Sequence, residues 1–141
     1  QAIGHDKLNQ LRHARFLEEG VRLPEHMAAH GALMGPKFEL VEKKLAEELA
    51  EADIATWTNP RGGYFVSFEG PAGTAHRIVE LAKNAGVTMT GAGATWPYGN
   101  DPADSNIRIA PSLPPLEELD AAMDVFTCCV KLAALEQLVE G

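Results

Sequence analysis

The feature that most constrains the fold is a change of hydrophobic period near residue 50. Before it, five apolar residues recur at intervals of three and four, as on one face of an amphipathic helix: Met34, Phe38, Val41, Leu45 and Leu49. From Ile54 the apolar positions alternate instead, which is typical of a strand with one buried face. The sequence therefore predicts a fold that combines helices with a sheet.

Two helical regions are predicted before the change of period. Asp6 is a suitable N-cap for a first helix from about Lys7 to Leu17. Pro24 marks the first turn of the second region, which carries the apolar face above. Gly35-Pro36 interrupts this region, so either two helices meet there or one helix kinks.

Four strands and two further helices are predicted in the remainder. The strands are residues 55–58, 64–68, 87–90 and 106–110. One helix, capped by Thr74 and ended by Gly86, lies between the second and third strands, and the last helix begins at Pro114-Pro115. This order predicts an α+β fold: a small, largely antiparallel sheet with helices packed on one side.

Composition excludes some classes of function. The 141 residues suffice for one domain with a core, and the net charge of −8, with no run of Lys or Arg, argues against nucleic-acid binding. No apolar stretch reaches the roughly 18 residues of a membrane span, so we expect a soluble, cytoplasmic protein without a membrane partner. Cys128 and Cys129 are expected to be apolar fillers in a reduced protein. Gln1 in place of an initiator methionine predicts that the chain is part of a longer protein.

Several motifs match known sites only in part. His26 and His30 have the spacing of zinc ligands, but Met27 stands where a zinc-protease motif has glutamate, and we predict no metal site. The glycine-rich residues 91–95 lack the Lys-Ser/Thr of a phosphate loop, so these glycines are expected to allow a close backbone approach. The apolar cluster Trp96-Pro97-Tyr98 covers a pocket, meets another domain, or forms a local mini-core.

The predicted strand at residues 106–110 carries the most suggestive polar residue. Strand side chains alternate, so Ile107 and Ile109 face the core while Asn106 and Arg108 lie on the opposite face. An arginine fixed on a strand is a suitable fork for a carboxylate or a phosphate. The alternative is an edge-strand arginine in a surface ion pair.

Three motifs in this order carry a family resemblance: Pro60-Arg61-Gly62-Gly63-Tyr64-Phe65, the helix–strand junction at Gly86, and Asn106-Ile107-Arg108-Ile109-Ala110. Together they resemble the C-terminal small domain of fold-type-I, pyridoxal-phosphate-dependent aminotransferases. The resemblance is strongest to the branch that contains the alternative (type Ic) aspartate aminotransferases and the related MocR-type proteins.

The resemblance implies roles for particular residues. Arg108 would bind the α-carboxylate of an amino-acid substrate, Asn106 would support it, and Tyr64 and Phe65 would line the domain edge nearest the active site. Residues 1–50 would be the helical segment that joins the large and small domains, and residues 51–141 the small α+β domain.

The resemblance also implies a pyridoxal 5′-phosphate cofactor, amino-acid and 2-oxo-acid substrates (aspartate and 2-oxoglutarate in the first place), and a homodimer. The Schiff-base lysine of such enzymes lies in the large domain, so this chain supplies no catalytic residue and no cofactor-binding residue and would not transaminate by itself. Two alternatives stay open: an effector-binding domain of a MocR-type transcriptional regulator, and a free-standing α+β binding module.

Overall fold

A computed structural model of the protein describes residues 6–140, and side chains for residues 6–139. Gln1, on which the prediction of a longer protein rests, lies outside the described residues. The described chain divides into two compact units, the first ending at Gly35 and the second beginning at Pro36. The predicted division into residues 1–50 and 51–141 concerns roles within a larger protein, and it stays a prediction.

The first unit contains a short helix and the beginning of a long one. Helix α1 spans Lys7–Phe16, and the carboxylate of Asp6 accepts hydrogen bonds from the backbone N–H groups of Leu8 and Asn9, at 3.0 and 3.1 Å. The predicted N-cap is therefore confirmed. Helix α2 spans Leu23–Leu49 as one helix that includes Pro36, so the alternative of two separate helices is wrong.

The second unit is an α+β domain, as predicted. After the C-terminal half of α2 it contains strands β1 (Thr56–Trp57) and β2 (Val66–Glu69), helix α3 (Ala75–Asn84), strand β3 (Asn106–Ile109) and helix α4 (Leu116–Glu140). A 3₁₀ turn at Pro97–Gly99 lies in the long loop before β3. None of the helices in residues 6–140 is both long enough and apolar enough to cross a membrane.

The three strands form an antiparallel sheet in the order β1-β2-β3. Ser67 pairs with Arg108, and Phe68 pairs with Ile107. The core face of β2 and β3 carries buried apolar residues, namely Val66, Phe68, Ile107 and Ile109. The helices cover this face, and the rings of Phe68 and Phe126 meet edge to face at 5.0 Å between centroids. Apolar residues of helices α2, α3 and α4 complete the core: Val41, Leu45, Leu49, Ile78, Ala82, Met123 and Val130.

The predicted strand at residues 87–90 is wrong, because this segment joins no strand of the sheet. Gly86 ends α3 with φ +92°, and the N–H groups of Gly86 and Val87 bond back to Lys83 and Ala82, which is a Schellman motif. Val87 and Met89 pack against the core. The alternation therefore identified the side chains that face inward, but a strand also needs a neighbouring backbone with which to pair.

Candidate functional site

The second face of the sheet is polar. Since directly paired residues share a face, Ser67 and Arg108 lie side by side, with Glu69 and Asn106 as the next pair. Arg108 is thus on the face opposite Ile107 and Ile109, and the predicted alternation of β3 is confirmed. The site is built on an edge strand of a three-stranded sheet whose other face is fixed by the core.

Arg108 is half-buried and has no anionic partner in the described part of the chain. The ion pairs recorded for residues 6–139 all involve other cations. Its Nε atom is buried without a hydrogen-bond partner within the same residues. The surface ion pair that the sequence left open is therefore not observed among them. A buried donor without a partner is costly, and this arginine retains its full capacity to bind an anion.

Phe65 covers the guanidinium of Arg108. The centre of its ring lies 4.5 Å from the guanidinium carbon, within the range of a cation–π contact. Tyr64, which the resemblance suggested as a substrate-binding residue, precedes it in the same loop with 54% of its surface exposed. The structure thus brings Phe65 to the arginine, whereas among the described residues it shows neither a hydrogen bond nor a cation–π contact between Tyr64 and Arg108.

Asn106 is buried, and hydrogen bonds hold its side chain on both sides. Its Nδ2 donates to Ser67 Oγ at 2.9 Å and to Glu69 Oε1 at 2.5 Å, and its Oδ1 accepts from the hydroxyl of Thr95. Glu69 also accepts from Ser105 Oγ at 2.8 Å. Asn106 therefore ties the sheet to the loop before β3, and any support that it gives to Arg108 acts through the strand.

Asp101 holds the end of that loop. Its carboxylate accepts hydrogen bonds from the backbone N–H groups of Asn106 and Ser105 at 2.8 Å and of Ala103 at 3.0 Å. These bonds hold the pKa of the Asp101 carboxyl below its usual value, against the opposing effect of burial, and the bond from Asn106 contributes most. Sequence reasoning missed Asp101, Glu69 and Thr95, although an Asp-Pro pair in a loop is a turn signal.

The glycine-rich segment serves a close backbone approach, as predicted. Gly93 has φ +72°, and a Cβ atom there would lie 2.5 Å from the carbonyl oxygen of Gly99.

Trp96 is 45% exposed and Tyr98 is fully exposed, so the mini-core alternative is wrong for these aromatic rings. His26 and His30 contact each other edge to face, and no group of three metal-ligating side chains occurs among the described residues.

The lysines of the described residues are either engaged in hydrogen bonds and ion pairs or exposed on helices. The amino groups of four lysines have partners: Lys37 donates to Ser112 O, and Lys43, Lys44 and Lys131 pair with carboxylates of the helices. Lys7 and Lys83 are exposed on α1 and α3. The prediction that the Schiff-base lysine lies in another part of the protein stays a prediction.

Comparison with solved structures first identifies the fold. An α-aminoadipate aminotransferase from Thermus thermophilus, solved in complex with N-(5′-phosphopyridoxyl)-L-leucine, matches 91% of this chain and 32% of its own, with a TM-score of 0.72 and 20% identity. At that identity the match shows a shared fold. An aspartate transaminase structure from Corynebacterium glutamicum matches 96% of this chain and 32% of its own, with a TM-score of 0.90 and 48% identity.

Comparison of sequences then gives the family. The model of the aspartate amino-transferase family matches residues 1–141. A curated aspartate aminotransferase of Corynebacterium glutamicum is 48% identical over 136 residues, which are 96% of this chain and 32% of that protein. The chain belongs to the aspartate aminotransferase family, and the predicted resemblance is confirmed. It spans about a third of the length of the relatives it matches.

Proposed function

We propose that this chain is the substrate-carboxylate-binding part of a pyridoxal-phosphate-dependent aminotransferase, with Arg108 as the residue that binds the carboxylate. The observation that carries the proposal is the state of Arg108: a guanidinium fixed on a core-anchored strand, with a buried Nε and no anionic partner among residues 6–139. Family membership supports it, because an aminotransferase must hold an amino acid by a group other than the reacting amine.

The chemistry of the proposed reaction divides between this chain and the rest of the protein. Pyridoxal phosphate, when bound, supplies the electron sink for the charge that develops at the substrate Cα. Arg108 would neutralise the α-carboxylate and fix its orientation, so that the amine is presented in one geometry. Asn106 would hold the strand, and Tyr64 would border the entrance from the loop before β2.

The proposed substrates are aspartate and 2-oxoglutarate. This choice is supported by the name of the curated relative, which is 48% identical to the chain. Both substrates carry a second carboxylate, for which we assign no partner in this chain. The homodimer, the cytoplasmic location and the joining role of residues 1–50 rest on the resemblance and remain predictions.

Replacement of Arg108 by alanine in the full-length protein tests the proposal. A charge-assisted hydrogen bond is worth about 1.5–3 kcal/mol, so kcat/KM for aspartate should fall at least about tenfold. Arg108→Lys should retain more of the native kcat/KM than Arg108→Ala, because an ammonium group keeps the charge but lacks the planar fork. The exposed Lys83 on α3 is the matched control, and Lys83→Ala should leave kcat/KM within about twofold. A fall of less than about threefold for Arg108→Ala would contradict the proposal.

A further inference from the structure

Phe65 is exposed, although an apolar ring of its size normally packs in a core. It is 46% exposed and lies outside the set of side chains that form the core of the second unit. Its neighbour Val66 pairs with Ile109 on the core face, so Phe65 projects to the polar face, diagonally from Arg108. Packing therefore does not account for an aromatic residue at this position.

The contact that the ring does make is with the guanidinium of Arg108. The ring centre lies 4.5 Å from the guanidinium carbon. An unpaired arginine on a sheet edge would otherwise sample many rotamers, and fixing them costs free energy each time a ligand binds. A ring against the guanidinium reduces that cost in advance, because the flat group stacks on the aromatic face.

The position of Nε indicates how an anion approaches. Nε is shielded from solvent although Arg108 as a whole is only half-buried. A carboxylate that arrives from solvent therefore meets the two terminal amino groups first. These groups form the planar fork that binds a carboxylate through two parallel hydrogen bonds.

We propose that Phe65 is a positioning residue for the substrate: its ring holds the guanidinium of Arg108 so that a carboxylate is bound end-on by the two terminal amino groups. This inference rests on the proposed function of Arg108. In this role Phe65 acts on the substrate only through Arg108, so its loss should weaken the binding of every carboxylate ligand and leave the chemical step almost unchanged.

Two replacements of Phe65 in the full-length protein distinguish the effect of its aromatic face from the effect of an apolar side chain. Phe65→Leu keeps an apolar side chain but removes the π face, and it should raise KM for both aspartate and 2-oxoglutarate about two- to fivefold with kcat within about 1.5-fold. Phe65→Tyr keeps the π face and should restore KM to within about 1.5-fold. Phe16→Leu is the matched control, since Phe16 is also exposed and its ring centre lies 5.8 Å from the guanidinium carbon of an arginine, Arg22.

Binding of succinate gives a readout that does not depend on turnover, because this dicarboxylate has neither an amino nor a 2-oxo group. Phe65→Leu should raise its Kd, measured by calorimetry, about two- to fivefold. In the Arg108→Gln background the same replacement should have no further effect, because the ring then has no guanidinium to hold. A structural role of Phe65 would persist in that background.

The outcomes distinguish the two proposals. If Arg108→Gln weakens succinate binding but Phe65→Leu does not, the positioning role is wrong and the role of Arg108 stands. If Arg108→Gln leaves the Kd unchanged, the proposed function of Arg108 is wrong, and the positioning role falls with it. If Phe65→Leu also lowers the unfolding temperature, the Phe65→Tyr variant and the double variant with Arg108→Gln distinguish a positioning role from a structural one. An equal effect of Phe65→Leu on the Kd for succinate with and without Arg108 would overturn the inference.

Discussion

Asn106→Asp is the most informative change to the polar side of the sheet, because it alters one atom group and preserves shape. In the native protein Asn106 Nδ2 donates to Glu69 Oε1 at 2.5 Å and to Ser67 Oγ at 2.9 Å. In the variant a second carboxylate oxygen takes the place of the donor. The change therefore replaces an attraction by a repulsion at a site where Asn106 is only 4% exposed.

The magnitude follows from two contributions. A hydrogen bond to a carboxylate, such as the one from Asn106 to Glu69, is worth about 1.5–3 kcal/mol. Two like charges about 4 Å apart, at an effective dielectric constant of about 20, repel by about 4 kcal/mol. Rotation of the side chains relieves part of this repulsion. We therefore expect Asn106→Asp to lower the free energy of unfolding by about 3–5 kcal/mol.

Urea denaturation of the 141-residue chain measures this difference. The fluorescence of Trp57 in β1, whose indole donates to Glu42 at 2.9 Å, reports on the sheet. Asn59→Asp introduces the same charge at an exposed turn residue, and it should change the free energy by less than about 0.5 kcal/mol. A loss below about 1 kcal/mol for Asn106→Asp, or one equal to that of the control, would refute the assigned network.

Two further predictions concern the loop before β3. The lowered pKa of Asp101 means that its carboxylate stabilises the folded state above its ordinary pKa and loses this effect as the pH falls through the lowered value. Asp101→Asn should therefore reduce the melting temperature at pH 7, and the difference from the native protein should shrink as the pH falls through the lowered pKa; a difference that does not shrink in acid would contradict this. Gly93→Ala should lower the free energy of unfolding by about 1–3 kcal/mol, because its Cβ would lie 2.5 Å from Gly99 O at a residue with positive φ. The control Gly62→Ala, with open space around the added methyl group, should lower it by less than about 1 kcal/mol, and equal losses for the two variants would show that the close approach is unimportant.

The helices were predictable because their signals are local. The carboxylate of Asp6, the apolar face that includes Val41, Leu45 and Leu49, and the glycine after α3 each act within a few residues of the chain. The error at residues 87–90 has the opposite cause. Whether an alternating segment becomes a strand depends on a partner backbone far away in the sequence, and the alternation does not encode that partner.

Of the candidate site, the features set by neighbouring residues were predictable, and those set by long-range contacts were not. Alternation along β3 placed Arg108 on the polar face, because that depends only on neighbouring residues. Asn106 donates to Glu69 across 37 residues of sequence and accepts from Thr95 across 11, and both bonds depend on strand register and loop closure. The ring of Phe65, rather than that of Tyr64, reaches the arginine for the same reason: the register of β2 decides which of two adjacent aromatic residues shares a face with Arg108.

A crystal structure of the full-length protein with succinate bound tests the central claim most directly. We expect one carboxylate of the ligand to lie with its two oxygens about 2.7–2.9 Å from the terminal nitrogens of Arg108, with the ring of Phe65 still against the guanidinium. If the carboxylates are bound by other cations and Arg108 lies more than about 4 Å from the ligand, the role assigned to Arg108 is contradicted.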